Sequence, residues 1–165
     1  MRVLGIDPGK FGGLAIVEDG HLKYVGPMPL TKEMVLDSVK LREIILNHNP
    51  DVVFIEKAQA MPRQGVVSMF NYGKGYGFLL GFLDALMYEV KTVTPRTWQG
   101  FFYKRVPVQG KTPKERALCM ANKLYTGFTW LKSSRSKKPH DGMVDAALIA
   151  TYGQLLMDGR KFYVN

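Results

Sequence analysis

The sequence is short of the features that define several protein classes. One cysteine, Cys119, is present among 165 residues, which excludes an internal disulfide framework and a cysteine-based zinc cluster and favours a reducing compartment. No apolar run approaches the roughly 20 residues that a membrane span requires, so no membrane partner is expected. An acidic residue and a Pro-Gly pair follow soon after the first residue, which is not the pattern of a secretory signal.

Acidic residues are also in the minority. Asp and Glu number 14 against 23 Lys and Arg, and the net charge is +9. A small domain this basic most often binds a polyanion such as nucleic acid, although charge alone leaves open a basic protein without such a partner. The composition, 46% hydrophobic and 22% charged, is that of a folded chain. The length, with no linker, repeat or low-complexity tract, predicts a single domain over residues 1–165.

The predicted strands come first in the chain and then alternate with helices. Residues 2–7, 12–18 and 21–26 are predicted to form three antiparallel strands, the last two joined by an Asp-Gly turn. Short apolar runs predict a buried strand over 51–56 and a further strand over 90–94. The predicted helices cover 31–48 with Thr31 as the N-cap, 66–88, a short segment from Pro95, 114–125, and a last segment from Pro139 or His140 to about 156. This order predicts a mixed α/β domain of three layers.

Four carboxylates occupy positions that favour a shared site. Asp7 ends the first predicted strand, and Glu56 ends the buried strand after the first helix. Asp141 and Asp145 lie four residues apart on the last helix, which places both on one face. Apolar residues surround Asp145, where an aspartate is costly to bury without a partner or a metal. Hard oxygen ligands suit Mg²⁺ or Mn²⁺, and two such ions would support phosphodiester hydrolysis.

Each carboxylate also has a simpler interpretation. Asp7 can serve as a turn former before its Pro-Gly pair. Glu56 can pair with Lys57, and Asp141 can be favoured by the dipole at the start of its helix. A surface ion pair is the least suitable explanation for Asp145, because that residue lies within an apolar run. Taken together, the four carboxylates favour a metal site.

Three segments of the chain carry a family resemblance. They are Gly5–Gly9 (GIDPG), Val53–Glu56 (VFIE) and His140–Ala150 (HDGMVDAALIA). In order, context and spacing they resemble the RuvC-like Holliday junction resolvases of the ribonuclease H-like superfamily, and Thr94–Trp98 (TPRTW) is similar to phage-type members. The resemblance implies an α/β fold with a five-stranded mixed sheet, its first three strands antiparallel, flanked by helices. It also implies a homodimer that binds four-way junctions and branched DNA in the cytoplasm of a bacterium or an infected host.

The same resemblance implies an activity and a set of ligands. The activity is that of a crossover junction endodeoxyribonuclease that uses Mg²⁺ or Mn²⁺, with two ions per site and no small-molecule cofactor. By resemblance Asp7, Glu56 and Asp145 match the acidic positions of the family. Bacterial members carry Asp or His where this chain has a glycine, so the fourth ligand is assigned to Asp141, as in the mitochondrial and poxviral branch. His140 is an additional candidate, although a lone histidine is more often structural.

Basic residues lie near the segments that would carry the site. Lys114 is the best match to a family lysine with a role in DNA binding or catalysis, and Lys111 is the second. A solvated side chain is the alternative interpretation for both lysines. The residues expected to contact DNA are Arg96, Lys111, Lys114, Arg135, Lys137 and Lys138.

Two further features concern assembly and junction opening. Glycines recur every four residues in the helix predicted from residue 66, at Gly73, Gly77 and Gly81. This stripe favours close approach of another backbone, either the sheet, which is slightly favoured, or the same helix of a second subunit. The loop after Glu56 lacks the aromatic residue that bacterial members wedge into the junction, and Met61 is the nearest apolar substitute or a packing residue. Trp98 is predicted to pack in the core.

Two other functions remain open. One is a different ribonuclease H-like nuclease, acting on flaps, RNA–DNA hybrids or RNA. The other is a junction-binding scaffold with an idle site, which the presence of all four carboxylates disfavours. Comparison of junction, flap and hybrid substrates separates the two nucleases.

Overall fold

The computed structural model describes residues 1–59 and 65–159 of the chain, and a five-stranded sheet forms its centre. The strands are β1 (Arg2–Asp7), β2 (Gly13–Glu18), β3 (His21–Pro27), β4 (Val52–Glu56) and β5 (Val90–Val93). Their order across the sheet is β3-β2-β1-β4-β5. The first three strands pair antiparallel, whereas β1 with β4 and β4 with β5 are parallel. The predicted mixed sheet is confirmed.

Helices cover both faces of this sheet. They are α1 (Ser38–His48), α2 (Val66–Ala85), α3 (Pro95–Tyr103), α4 (Pro113–Leu124) and α5 (Asp141–Met157). The predicted starts of the last four hold to within about two residues, because Gly65, Thr94, Thr112 and His140 occupy their N-cap positions. None of the helices in the described ranges combines the length and the apolar character of a membrane span.

The predicted start of the first helix at Thr31 is wrong. The Thr31 backbone N–H donates to the Val35 carbonyl oxygen at 2.9 Å, and the Thr31 hydroxyl accepts from the Glu33 backbone N–H at 3.2 Å, which closes a turn. The helix begins later, after Asp37, whose carboxylate accepts from the Lys40 backbone N–H at 3.0 Å. A threonine can close a turn by the same local hydrogen bonds that cap a helix, so the sequence alone did not separate the two.

The two faces of the sheet have separate cores. Along β1, Leu4 and Ile6 belong to the core under α1 and α2, whereas Val3 belongs to the core under α3, α4 and α5. This alternation is the period-two pattern of a strand. Side chains of this size, fully buried as these are, each contribute roughly 1.5–3 kcal/mol to folding. The sheet therefore separates two helical layers and holds the ends of β1 and β4 rigidly.

Helix α5 lies against β1 and β2 at backbone contact. A Cβ atom on Gly5 would clash with the Ala146 carbonyl oxygen and the Ala150 backbone nitrogen. At the start of the same helix, a Cβ on Gly142 would clash with the backbone of Phe11 and Gly12. The absence of side chains at these points fixes the distance between α5 and the sheet, and thereby the position of the aspartates that α5 carries.

The glycine stripe of α2 does not face the sheet. A Cβ at Gly73, Gly77 or Gly81 would have no atom within 4 Å. The buried residues of α2 are Leu79 and Leu83, which lie on another face. The slightly favoured interpretation, with the sheet against the stripe, is wrong, because large apolar side chains rather than glycines determine which face is buried.

We expect Gly5→Ala to lower the free energy of unfolding by about 3 kcal/mol or more, because the new methyl group meets backbone atoms that cannot turn away. For a domain of this size the melting temperature would fall by about 6–12 °C. Gly100→Ala is the matched control, since Gly100 lies in α3 with open space around a Cβ, and it should be neutral or slightly stabilising. Equal melting temperatures for the two variants would contradict the backbone contact between Gly5 and α5.

Candidate metal-dependent active site

The four predicted carboxylates meet at one edge of the sheet. Asp7 is the last residue of β1 and Glu56 is the last residue of β4. These strands are parallel neighbours, with Ile6 paired to Ile55, so both carboxylates leave the sheet at the same edge. Helix α5 begins at Asp141 and carries Asp145 one turn later, packed against β1. The structure thus brings the predicted set together.

The charges of these groups act on Asp7 in particular. Burial raises the pKa of Asp7 well above its ordinary value, and the neighbouring charges of Asp145, Glu56 and Asp141 raise it further, in that order. The ammonium group of Lys114 opposes this shift. Asp7 is therefore the carboxylate on which the repulsion of the whole cluster converges.

Asp145, on α5, is subject to the same two effects, burial and the charges of neighbouring carboxylates. Burial raises the pKa of Asp145 to about 7, with further contributions from the charges of Glu56 and Asp141 and an opposing one from Lys114. A carboxylate in this state gains from a bound cation, since a cation offsets both the lost hydration and the repulsion.

Glu56 is held by a tryptophan. The Trp98 indole N–H donates to Glu56 Oε2 at 2.7 Å. Burial raises the pKa of Glu56, and the hydrogen bond from Trp98 opposes that rise because it favours the ionised carboxylate. The expectation that Trp98 packs in the core is confirmed, since its side chain is fully buried, but the residue also contacts the site.

Asp141 is held by Lys114. The Lys114 ammonium donates to Asp141 Oδ2 at 2.6 Å, and the two side chains are 72% and 50% exposed. The bond raises the pKa of Lys114. The capping box of Thr112 and Glu115 fixes the first turn of α4, where Lys114 lies. An ion pair this exposed contributes only about 0–1 kcal/mol, so a phosphate or a cation can replace it at little cost.

The residues fit a divalent cation of the Mg²⁺ class. Within residues 1–59 and 65–159 no three His, Cys, Asp or Glu side chains form a ready-made metal site, and Glu56 and Asp141 accept hydrogen bonds from Trp98 and Lys114 instead. The donor set consists of carboxylate oxygens, which suits Mg²⁺ or Mn²⁺. The buried Tyr103 hydroxyl has no hydrogen-bond partner in the described ranges. Burial and the charge of Asp145 raise the pKa of Tyr103 to about 12.

His140 caps helix α5. Its Nδ1 accepts from the Met143 backbone N–H at 3.3 Å. Burial is the main cause that lowers the pKa of His140, followed by the charge of Lys132. The lowered pKa favours the neutral imidazole, and only the neutral ring can accept a hydrogen bond from a backbone N–H. The structure therefore gives His140 a role as a helix cap, and its role as a ligand stays a prediction.

The predicted DNA-contacting residues lie on the surface of the protein. Lys114 contacts the cluster directly, and Arg96 lies in the first turn of α3, two residues before Trp98. The basic segment with Arg135, Lys137 and Lys138 leads into α5. All six predicted residues are exposed: Arg96, Lys111, Lys114, Arg135, Lys137 and Lys138. Met61, the predicted apolar wedge, lies outside the described residues.

Sequence reasoning missed several residues beside the carboxylates. Burial, aided by the charges of Asp7 and Glu56, raises the pKa of Tyr72 to about 12, and the Tyr72 ring lies 3.3 Å from the position of a Cβ on Gly9. Phe11, whose backbone lies against Gly142 at the start of α5, is 70% exposed, with the Lys10 ammonium 5.0 Å from its ring centroid. No sequence pattern marks these residues, because they reach the site only through the packing of loops and helices.

Comparison with known proteins places this geometry in context. No family model matches the chain. A RuvC crossover junction endodeoxyribonuclease of Carboxydothermus hydrogenoformans is 27% identical over 172 residues, spanning 96% of this chain and 99% of the relative. RuvC of Thermus thermophilus in complex with a Holliday junction superposes with a TM-score of 0.67 at 18% identity, covering 96% of each chain. The yeast mitochondrial Holliday junction resolvase gives 0.63 at 18% identity, covering 92% of this chain and 77% of the other.

The sheet order and the acidic edge define a fold of the ribonuclease H-like class. Within that class, the chain has the fold of the RuvC-like Holliday junction resolvases, which confirms the predicted resemblance to them. The similarity to phage-type members stays a prediction.

We expect the stability of the metal-free protein to fall as the pH rises. The pKa of Asp145 is 3.8 ordinarily and about 7 in the folded protein, so the folded state binds the proton more tightly and the free energy of unfolding decreases between those values. Asp145→Asn should lessen this decrease, by on the order of 2 kcal/mol at pH 8. Melting temperatures in EDTA from pH 4 to pH 8 test this.

Glu43→Gln, which removes an exposed carboxylate on α1, is the control and should follow the parent protein. If Asp145→Asn and the parent lost stability in parallel across this range, the electrostatic cost assigned to Asp145 would be contradicted.

Proposed function

We propose that this protein is a metal-dependent, structure-selective endodeoxyribonuclease that resolves four-way DNA junctions. The observation that carries the proposal is the convergence of four carboxylates at one edge of a RuvC-like sheet. The similar RuvC protein is named a crossover junction endodeoxyribonuclease, and the similar Thermus structure contains a Holliday junction. We extend both properties to this chain, together with activity on other branched DNA, in recombination and repair.

The proposed cofactor is Mg²⁺ or Mn²⁺, with two ions in each site. The residues that would hold these ions are Asp7, Glu56, Asp141 and Asp145. When bound, such ions activate water and stabilise the leaving oxygen of a phosphodiester. Rigid β-strands carry Asp7 and Glu56, and α5 holds Asp145 at a fixed distance by its contact with Gly5. The rigid backbone of these elements would thus keep the acidic residues close together before any ligand binds.

Lys114 is proposed to exchange partners when DNA binds. Its ammonium group is paired with Asp141 in this structure. Because the pair is exposed and weak, a cation on Asp141 would release Lys114, and a DNA phosphate beside the cluster could then accept its hydrogen bond. The lysine would hold the phosphate while the carboxylates hold the ions.

The net charge of +9 supports an electrostatic contribution to binding. The exposed cations Arg96, Lys111, Arg135, Lys137 and Lys138 are proposed to neutralise phosphates of the junction arms. Release of counterions would make affinity fall steeply with salt. These contacts position the DNA, whereas the carboxylates perform the chemistry. Such a nuclease would act where the DNA is, in the cytoplasm of a bacterium or of an infected host.

We also propose that the protein is a homodimer formed through α2. One face of this helix presents the glycine stripe of Gly73, Gly77 and Gly81, and these glycines are exposed. Val66 and Phe70 lie on the same helical face and are 85% and 70% exposed. An apolar, flat surface of this kind is typical of a site where two backbones approach closely, and a two-fold axis would present two sites to a symmetric junction.

The first test is cleavage of a synthetic four-way junction beside a matched linear duplex. With Mg²⁺ we expect paired symmetric nicks in the junction and none in the duplex, and no cleavage in EDTA. Asp7→Asn should lower the rate by more than the roughly 10–100-fold that loss of an outer-shell partner costs, because Asp7 would hold the ion itself. Asp19→Asn, at an exposed hairpin turn, is the matched control and should cleave like the parent.

The outcomes separate the competing functions. Binding of the junction without cleavage in Mg²⁺ or Mn²⁺ would contradict the nuclease. Equal cleavage of both DNAs would contradict junction selectivity, and preference for an RNA–DNA hybrid would indicate a different nuclease of the same fold.

The proposed dimer predicts a solution mass about twice the 18.6 kDa of the chain, measurable by light scattering. Gly77→Arg should yield a monomer, because the new side chain fills the flat stripe. Val39→Arg introduces the same charge at an exposed residue of α1 and should leave the mass unchanged. A monomeric parent, or a dimeric Gly77→Arg variant, would contradict an interface on α2.

A further inference from the structure

Trp98 makes a contact that core packing alone does not require. Its side chain is fully buried and belongs, with Val93 and Phe102, to the core on the α5 side of the sheet. The indole N–H nevertheless points at a carboxylate of the site and donates to Glu56 Oε2 at 2.7 Å. A phenylalanine or leucine would fill such a position without a polar group that needs a partner.

The backbone around Trp98 is built to reach Glu56. Glu56 pairs with Val93 in the register of β4 and β5. The chain then turns at Thr94, whose hydroxyl accepts from the Thr97 backbone N–H at 3.2 Å, and Pro95 occupies the start of α3. These caps fix the first turn of α3, so Trp98 projects back toward the end of β4.

The second tryptophan of the chain provides a comparison. Trp130 is also buried, and its indole N–H donates to the amide oxygen of Asn122 at 2.8 Å. Both indoles satisfy their buried N–H groups, but the partner of Trp130 is neutral and the partner of Trp98 is an acidic group of the site. A charged acceptor makes the stronger hydrogen bond of the two.

We propose that Trp98 is a positioning residue for the cation site, and this inference rests on the proposed function. By engaging Glu56 Oε2, the indole N–H fixes the carboxylate in one orientation and leaves Oε1 as the oxygen available to a cation. An outer-shell donor of this kind orients a ligand and strengthens metal binding without touching the ion or the DNA.

Trp98→Phe removes the donor and keeps an aromatic ring in the core. The Mg²⁺ concentration for half-maximal junction cleavage should rise about 10-fold or more, while the rate at saturating Mg²⁺ changes less. Trp130→Phe deletes a buried indole N–H that does not contact the carboxylates, so it is the matched control and should retain the Mg²⁺ dependence of the parent. A Trp98→Phe protein that melts like the control and requires the parent's Mg²⁺ concentration would overturn the inference.

Fluorescence gives a second readout that does not depend on cleavage or on the folding of Trp98→Phe. The chain has two tryptophans, so the Trp130→Phe protein contains Trp98 alone. Mg²⁺ on Glu56 should alter the hydrogen bond to the indole and change Trp98 emission in a saturable way. Adding Glu56→Gln should abolish this response. No change in Trp98 emission under conditions where the protein cleaves junctions would overturn the inference.

The two readouts also separate this inference from the proposed function. If Trp98 emission saturates with Mg²⁺ but neither junctions nor other nucleic acids are cleaved, the nuclease fails and the positioning of Glu56 at a cation site stands. If junctions are cleaved and both Trp98 readouts are flat, the nuclease stands and Trp98 is a packing residue.

Discussion

Repulsion among four carboxylates, held at one edge of a rigid sheet, is the constraint on which the rest of this structure depends. Asp7 and Asp145 experience it most strongly, since burial and like charges together raise the pKa of each carboxyl. The fold tolerates this cost because strands and a tightly packed helix carry the acidic groups. A site of this kind is unfavourable when isolated and favourable when a divalent cation is bound, which is the property that a metal-dependent nuclease needs.

Neighbouring donors moderate the repulsion in two ways. Lys114 holds Asp141 through an exposed pair that is easily exchanged, whereas Trp98 holds Glu56 from the buried core. In the proposed nuclease, Lys114 would leave Asp141 when DNA and metal bind, whereas the packing of α3 fixes Trp98. The α5 contact at Gly5 adds a third constraint, since it sets the distance of the helix from the sheet. Packing on the α5 side of the sheet thus serves the geometry of the site as well as stability.

The sheet and the acidic set could be predicted because short-range patterns encode them. The alternation of apolar residues and an Asp-Gly turn predicted the first three strands. The positions of Asp7 and Glu56 at the ends of predicted strands marked them as site candidates. The Glu56–Trp98 bond spans 42 residues and depends on the β4–β5 register, so no local pattern reveals it. The predicted helix start at Thr31 and the predicted packing of the sheet against the α2 glycine stripe were wrong for a related reason. A threonine caps turns and helices alike, and glycines mark a flat surface without indicating what covers it.

The most direct test of this account is a crystal structure of the protein grown with Mn²⁺, with anomalous diffraction used to locate the ions. The account predicts anomalous peaks among Asp7, Glu56, Asp141 and Asp145, with Glu56 still bonded to Trp98 and Lys114 displaced from Asp141. The account would be contradicted if, at saturating Mn²⁺, the ions bound elsewhere, the four carboxylates bound no ion and the Lys114–Asp141 pair stayed intact.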